Sequence, residues 1–217
     1  MRDQWYGDKR DLVKWGVLLE LAQRHDAKHI LQVLYQRPST WERLEIDGEQ
    51  VDLNPAVLQH FRSTASISAI QGPTQVDILS DTFDDRSSYL KIVLNRIRLR
   101  TKRPGIVFLD PDTGLEPSGK AGLQHVLESE LAEIWRALCS GDVLVFYQHQ
   151  TNRNGDPWIE RKKVQFEQAL SIGQGLVKVA RAPGIAPDVV FFFIEKNATG
   201  SVELQSKKIS KTECPGQ

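Results

Sequence analysis

The chain has 217 residues, 40% hydrophobic and 26% charged, and its 28 basic and 28 acidic side chains cancel. That composition supports a hydrophobic core and excludes both a membrane-spanning protein and a strongly basic nucleic-acid-coating domain. Cys139 and Cys214 lie far apart without metal-ligand spacing, and the charged opening MRDQWYGDKRD lacks an apolar signal region, so a reducing, cytoplasmic location is expected.

In chain order, residues 9–25 read as a helix. At about 100° per residue, Leu12, Trp15, Val17, Leu18, Leu19, Leu21 and Ala22 cover most of its circumference. Asp11 and Lys14 fall inside that apolar arc, three residues apart and able to face each other. Long charged side chains seldom go fully inside unless paired. Residues 29–35 (HILQVLY) form a strand that ends at Arg37-Pro38-Ser39. The stretch 40–66 reads as an irregular insertion, with an Asp47-Gly48 turn suited to a hairpin and a short helix over 54–61. A strand is expected over 67–70, closed by Gly72-Pro73, and a helix over 87–100.

Residues 106–117, Ile-Val-Phe-Leu-Asp-Pro-Asp-Thr-Gly-Leu-Glu-Pro, carry the most information. A short apolar run bounded by a turn signal is a fully buried strand, and Asp110 stands where it leaves the sheet. In open α/β sheets ligands bind at that edge. A helix over 127–138 follows, then a strand over 142–149 that ends in Tyr147 and His149, and a helix over 158–170. The last strands, 176–181 and 189–194, have no helix between them and form an antiparallel hairpin. Alternating strands and helices predict a mostly parallel sheet. One domain is expected over 1–197, with a loose polar tail over 198–217.

The acids admit two chemistries and a structural role. Asp110, Asp112, Glu116 and His149 suit a divalent metal, Mg²⁺ or Mn²⁺, and hence a phosphoryl hydrolase or nuclease. The Asp110-x-Asp112 spacing also resembles haloacid dehalogenase-like phosphatases, but here it sits mid-chain with Thr113 directly after it. Asp112-Thr113-Gly114 is equally what an ordinary turn uses. His149 as a surface strand end, Tyr147 as packing and Lys14 as a snorkelling side chain are the corresponding structural roles. The six basic residues within 91–103 read as a solvated helix face and turn, with a nucleic-acid footprint as the rival reading.

The order of acidic strand end, helix, strand, helix and closing hairpin resembles the later half of a class I S-adenosylmethionine-dependent methyltransferase. Tyr6-Gly7-Asp8-Lys9-Arg10-Asp11-Leu12-Val13-Lys14-Trp15 is similar to the Gly-Asn-x-x-Asp-x-x-Lys-His opening of the bacterial 23S ribosomal RNA adenine-N6 methyltransferase family. Asp110-Pro111 resembles the start of the Asp-Pro-Pro-aromatic loop of adenine-N6 methyltransferases. The resemblance implies a Rossmann-like fold with helices on both faces, S-adenosylmethionine as cofactor, and RNA or DNA as partner. It implies that Lys14 reaches the cofactor, Asp11 orients it and Gly7 keeps the approach open. The Asp110 carboxylate and the Pro111 carbonyl would hold an exocyclic amine, and Asp112, Tyr147 and His149 would line the pocket.

The chain departs from that pattern in places. Asp112 stands for the second proline and Thr113 for the aromatic that stacks on a flipped base. Residues 35–39, Tyr-Gln-Arg-Pro-Ser, replace a glycine-rich turn, and Gln71 is the nearest polar group to the end of the expected next strand. These departures keep a non-catalytic, degenerate methyltransferase-fold binding module in play. The segments around Tyr6-Gly7-Asp8, Asp110 to Glu116 and Tyr147 to His149 also resemble a group of uncharacterised bacterial proteins, which suggests that the three form one site.

Overall fold

The computed structural model describes residues 9–37, 43–52, 54, 74–150, 152 and 157–197. Helix α1 (Lys9–Arg24) leads into β1 (His29–Val33), followed by the hairpin β2 (Arg43–Ile46) and β3 (Glu49–Asp52), then β4 (Gln75–Leu79) and α2 (Arg86–Leu99). Strands β5 (Gly105–Leu109), β6 (Gly114–Leu115) and β7 (His125–Val126) precede α3 (Glu128–Ala137) and β8 (Val143–His149). Helix α4 (Trp158–Leu170), β9 (Lys178–Ala180) and β10 (Val189–Glu195) complete the described chain.

The main sheet has six strands in the order β4-β1-β5-β8-β10-β9. β4, β1, β5 and β8 are mutually parallel, and β10 runs antiparallel to both of its neighbours. This is the mostly parallel sheet with a closing antiparallel hairpin that the sequence predicts. Because successive strand residues point to opposite faces, each strand serves two cores. Leu31, Val33, Val107, Leu109, Leu144 and Phe146 face one cluster, into which α2, α3 and α4 pack. Ile30, Ile106, Phe108, Val143, Val145 and Tyr147 face the other, which α1 covers with Trp15, Leu18, Leu21 and Ala22.

Helix α1 is less enclosed than its apolar arc suggests. Leu12 and Leu19 are 66% and 36% exposed, while Asp11 and Lys14 are buried. The buried stripe is therefore narrower, and it contains the charged pair.

The strand that pairs with β1 is Gln75–Leu79, beyond Gly72-Pro73. The strand expected over 67–70 and the helix over 54–61 lie outside the described residues, as do Gly7 and the tail. The Asp47-Gly48 hairpin is present as β2 and β3, with Asp47 and Gly48 both at positive φ.

Part of the basic cluster is architectural. Arg100 and Arg103 both reach Asp142 at the start of β8, at 2.8 and 3.1 Å. The same carboxylate accepts from the backbone N–H of Gly105 and Cys139. These bonds replace the solvation that a fully buried acid loses. Among the described residues no helix is long and apolar enough to cross a membrane.

Candidate active site

From β1 the chain proceeds to β4 on one side, then crosses to β5 on the other. The carboxyl ends of β1 and β5 thus flank the topological switch point, where open α/β sheets take their ligands. Asp110 is the first residue beyond β5, and its backbone N–H donates to the Val33 carbonyl at 2.9 Å. Its even-numbered register puts it on the α1 side, in line with Ile106 and Phe108.

Lys14 comes down from α1 onto that carboxylate. Its Nζ lies 2.7 Å from Asp11 Oδ1 and 2.8 Å from Asp110 Oδ2. Gln32 of β1 donates to the same Asp110 oxygen at 2.8 Å. The ammonium also stands 5.7 Å from the ring centroid of Tyr147, a cation–π distance. All these groups are enclosed: Asp110 is 1% exposed, Lys14 3%, Asp11 7% and Gln32 0%. Burial works against the charge on Lys14, and Asp110 and then Asp11 outweigh it, so its pKa is raised above the ordinary lysine value. Burial pushes the Asp110 carboxyl up, and the pull of Lys14 offsets only part of that.

A second cluster adjoins the first. His149 Nε2 lies 3.2 Å from Asp188 Oδ2, and Arg10 of α1 reaches the same oxygen at 2.5 Å. The hydrogen bond from Arg10 is the main reason the Asp188 pKa lies below the usual carboxylate value. Helical spacing explains the match: Arg10 and Lys14, four apart on α1, stand over His149 and Tyr147, two apart on β8.

Asp112 belongs to a third group. It pairs with Arg37, which follows β1, so this ion pair spans the switch point from one strand exit to the other. The loop that carries Asp112 is pinned to β8. Gln148 accepts from the Leu115 N–H at 2.9 Å and donates to the Thr113 and His149 carbonyls. Gly114 permits this approach, since it has φ +128° and a Cβ there would lie 2.4 Å from the Gln148 side chain. Pro111 is buried between Asp110 and that loop.

The metal reading loses its geometry. Glu116 accepts from the Glu128 N–H at 2.7 Å, at the start of α3, and so serves that helix. Asp110, Asp112 and His149 are turned towards Lys14, Arg37 and Asp188 respectively. Among the described residues no three His, Cys, Asp or Glu side chains come together as a metal site.

Several members of the site escape the sequence reading. Gln32 is detectable as a polar residue in the middle of a fully buried apolar strand. Asp81, exposed two residues beyond β4, is the first acid after the carboxyl end of the strand next to β1, and the sequence reading places no strand there. Arg10, Arg37 and Asp188 have no local signal, because their partners are distant in sequence.

The exit of β1 meets the need for a glycine differently. Tyr35 itself takes φ +47°, the left-handed conformation glycine usually supplies. Its ring turns into the core, 5.2 Å from Phe83 and 5.3 Å from Tyr89 between centroids. Its backbone N–H donates to the Tyr89 hydroxyl at 3.1 Å. Burial raises the pKa of both phenols. At this edge the converging polar groups are side chains, Lys14, Asp110 and Gln32 among them, and not a glycine-rich backbone turn.

No family model and no curated protein matches the chain. Two crystal structures resemble it in overall shape. One is a candidate methyltransferase from Thermobifida fusca YX, with a TM-score of 0.42 and 16% identity over 88% of this chain and 80% of that one. The other is a DUF574 family protein from Streptomyces avermitilis MA-4680, with a TM-score of 0.43 and 11% identity over 87% of this chain and 82% of that one.

Proposed function

We propose that this chain is an S-adenosylmethionine-dependent methyltransferase that acts on an exocyclic amine of a nucleic-acid base. The observation that carries the reading is the buried Lys14–Asp110 pair at the switch point, with Asp11 as a second partner for the lysine. An ammonium already occupies the hydrogen-bonding position on Asp110 that a substrate amine needs. Because Asp11 also holds Lys14, Asp110 can exchange the ammonium for an incoming amine without stranding a buried charge.

In this reading Asp110 and the Pro111 carbonyl orient the amine, and Gln32 fixes the carboxylate that receives it. Asp81 holds hydroxyls of the cofactor ribose, as an acid at the neighbouring strand end does in dinucleotide sites. Lys14 and Asp11 serve its amino-acid end. The cofactor supplies an electrophilic methyl group. The amine nitrogen held by Asp110 and the Pro111 carbonyl would take that methyl group, S-adenosylhomocysteine would be the product left, and one amine proton would pass to solvent. Rate then comes mainly from alignment of the nitrogen with the methyl carbon. Tyr147 and His149 line the α1 side of the pocket, and Asp112 closes the loop side with Arg37.

The test is transfer of labelled methyl from S-adenosylmethionine to RNA and DNA from a strain lacking the protein. Asp110→Asn keeps the shape but leaves an amide on the amine, and should lower turnover by about 10²-fold with little change in cofactor affinity. Turnover equal to wild type would remove Asp110 from the mechanism.

A further inference from the structure

Opposite the site, at the amino-terminal edge of the sheet, a cleft of about 180 Å³ is lined by His29, Gln75, Asp77, Arg96, Arg100 and Lys102. His29 and Gln75 are the first residues of β1 and β4, so five-residue strands at about 3.3 Å per residue put this cleft about 15 Å from Asp110. A water occupies about 30 Å³ of liquid, so the space takes one tetrahedral anion with a few waters.

The charges around the cleft do not balance. Arg100 and Arg103 share the single buried carboxylate of Asp142. Arg96 lies 3.3 Å from Asp77, and Lys102 donates to the neutral amide oxygen of Gln75, at 2.8 Å. Three lining cations, Arg96, Arg100 and Lys102, thus accompany one lining carboxylate, Asp77. Among the described residues, two buried nitrogens, His29 Nδ1 and Arg100 Nη1, have no hydrogen-bond partner. Gly105 lets the Arg100 guanidinium lie against the start of β5, since a Cβ there would stand 2.8 Å from Nη1. Burial, and then Arg100, lower the His29 pKa; Asp77 acts against them, and Lys102 and Arg96 add to the lowering.

We propose that this cleft binds a phosphate group, held by Lys102 and Arg96 at its mouth with Arg100 and His29 behind. An excess of fixed cations around a volume of one oxyanion is the arrangement that recognises phosphate, and the bonds formed are charge-assisted. The phosphate comes either from a small phosphorylated ligand or from a nucleic-acid backbone. The cleft is separate from the methyl-transfer site, and the proposal stands without that reading.

The test follows the His29 ring by NMR during titration with inorganic phosphate, at ionic strength matched with chloride. Saturable shifts and an upward move of the His29 pKa are expected, as the bound anion favours the imidazolium. Arg96→Gln combined with Lys102→Gln, both at exposed positions, should weaken phosphate by about tenfold or more. Lys91→Gln, exposed on the same helix and outside the cleft, should leave the affinity unchanged. A short single-stranded RNA that shifts the same ring, and fails to do so in the double variant, identifies the backbone as the source; a response to inorganic phosphate alone identifies a small ligand. No saturable shift beyond chloride, or a double variant that binds like wild type, overturns the proposal.

Discussion

Lys14 keeps its charge among apolar neighbours because two carboxylates stand 2.7 and 2.8 Å from its ammonium. Removing one partner of a buried pair costs about 3–5 kcal/mol, since the other charges remain uncompensated. Lys14→Met should therefore lower the melting temperature by about 10 °C, at about 2–4 °C per kcal/mol for a chain of this size. Chemical denaturation checks the free-energy loss. The pKa of Lys14 is raised in the folded chain, so the stability it contributes is fully present below the unfolded lysine value of about 10.4. It is lost as pH rises through the higher folded value. Wild type should accordingly lose stability more steeply than Lys14→Met in that alkaline window. Parallel profiles would contradict the assignment. Asp110→Ala also leaves a cavity where the buried carboxylate stood, so the amide, which keeps the shape, is the better probe of the chemistry.

Helix α1 shows what periodicity can and cannot reveal. The Asp11–Lys14 pair is legible because two charged residues share an apolar arc, and the structure buries both. The width of that arc is not legible, since Leu12 lies on the outer side although its type suits a core. Which leucines pack is decided by where β1 and β5 lie beneath the helix. Leu18 is fully buried in the α1-side cluster. Leu18→Ala should cost about 2–5 kcal/mol in urea unfolding, and Leu12→Ala no more than about 0.5 kcal/mol. Similar losses for both would mean that α1 sits on the sheet in another rotation. In the loop over 110–116, a turn signal and a strand-end acid coexist, and the structure separates their partners. Thr113 and Gly114 serve the turn, Asp112 reaches across to Arg37, and Asp110 enters the site.

At the scale of the whole molecule, the alternation of strands with helices made the mostly parallel sheet and its closing hairpin readable. Strand β4 was not readable, because Gln75–Leu79 is short, half-exposed and mixed in polarity, as an edge strand is. Asp81, two residues beyond it, shares that lack of a local signal. The clusters of Arg10 with Asp188 and Arg37 with Asp112 are closed only by the fold, across 178 and 75 residues of chain. In the proposed function these groups at the carboxyl edge would hold a nucleoside-bearing cofactor. Calorimetric titration of wild type and Asp81→Ala with S-adenosylhomocysteine tests this most directly, since Asp81 is exposed and its truncation spares the fold. Saturable binding to wild type, weakened about tenfold in Asp81→Ala by the loss of charge-assisted hydrogen bonds, is the expected result. A folded wild-type sample that gives no saturable heat would contradict it.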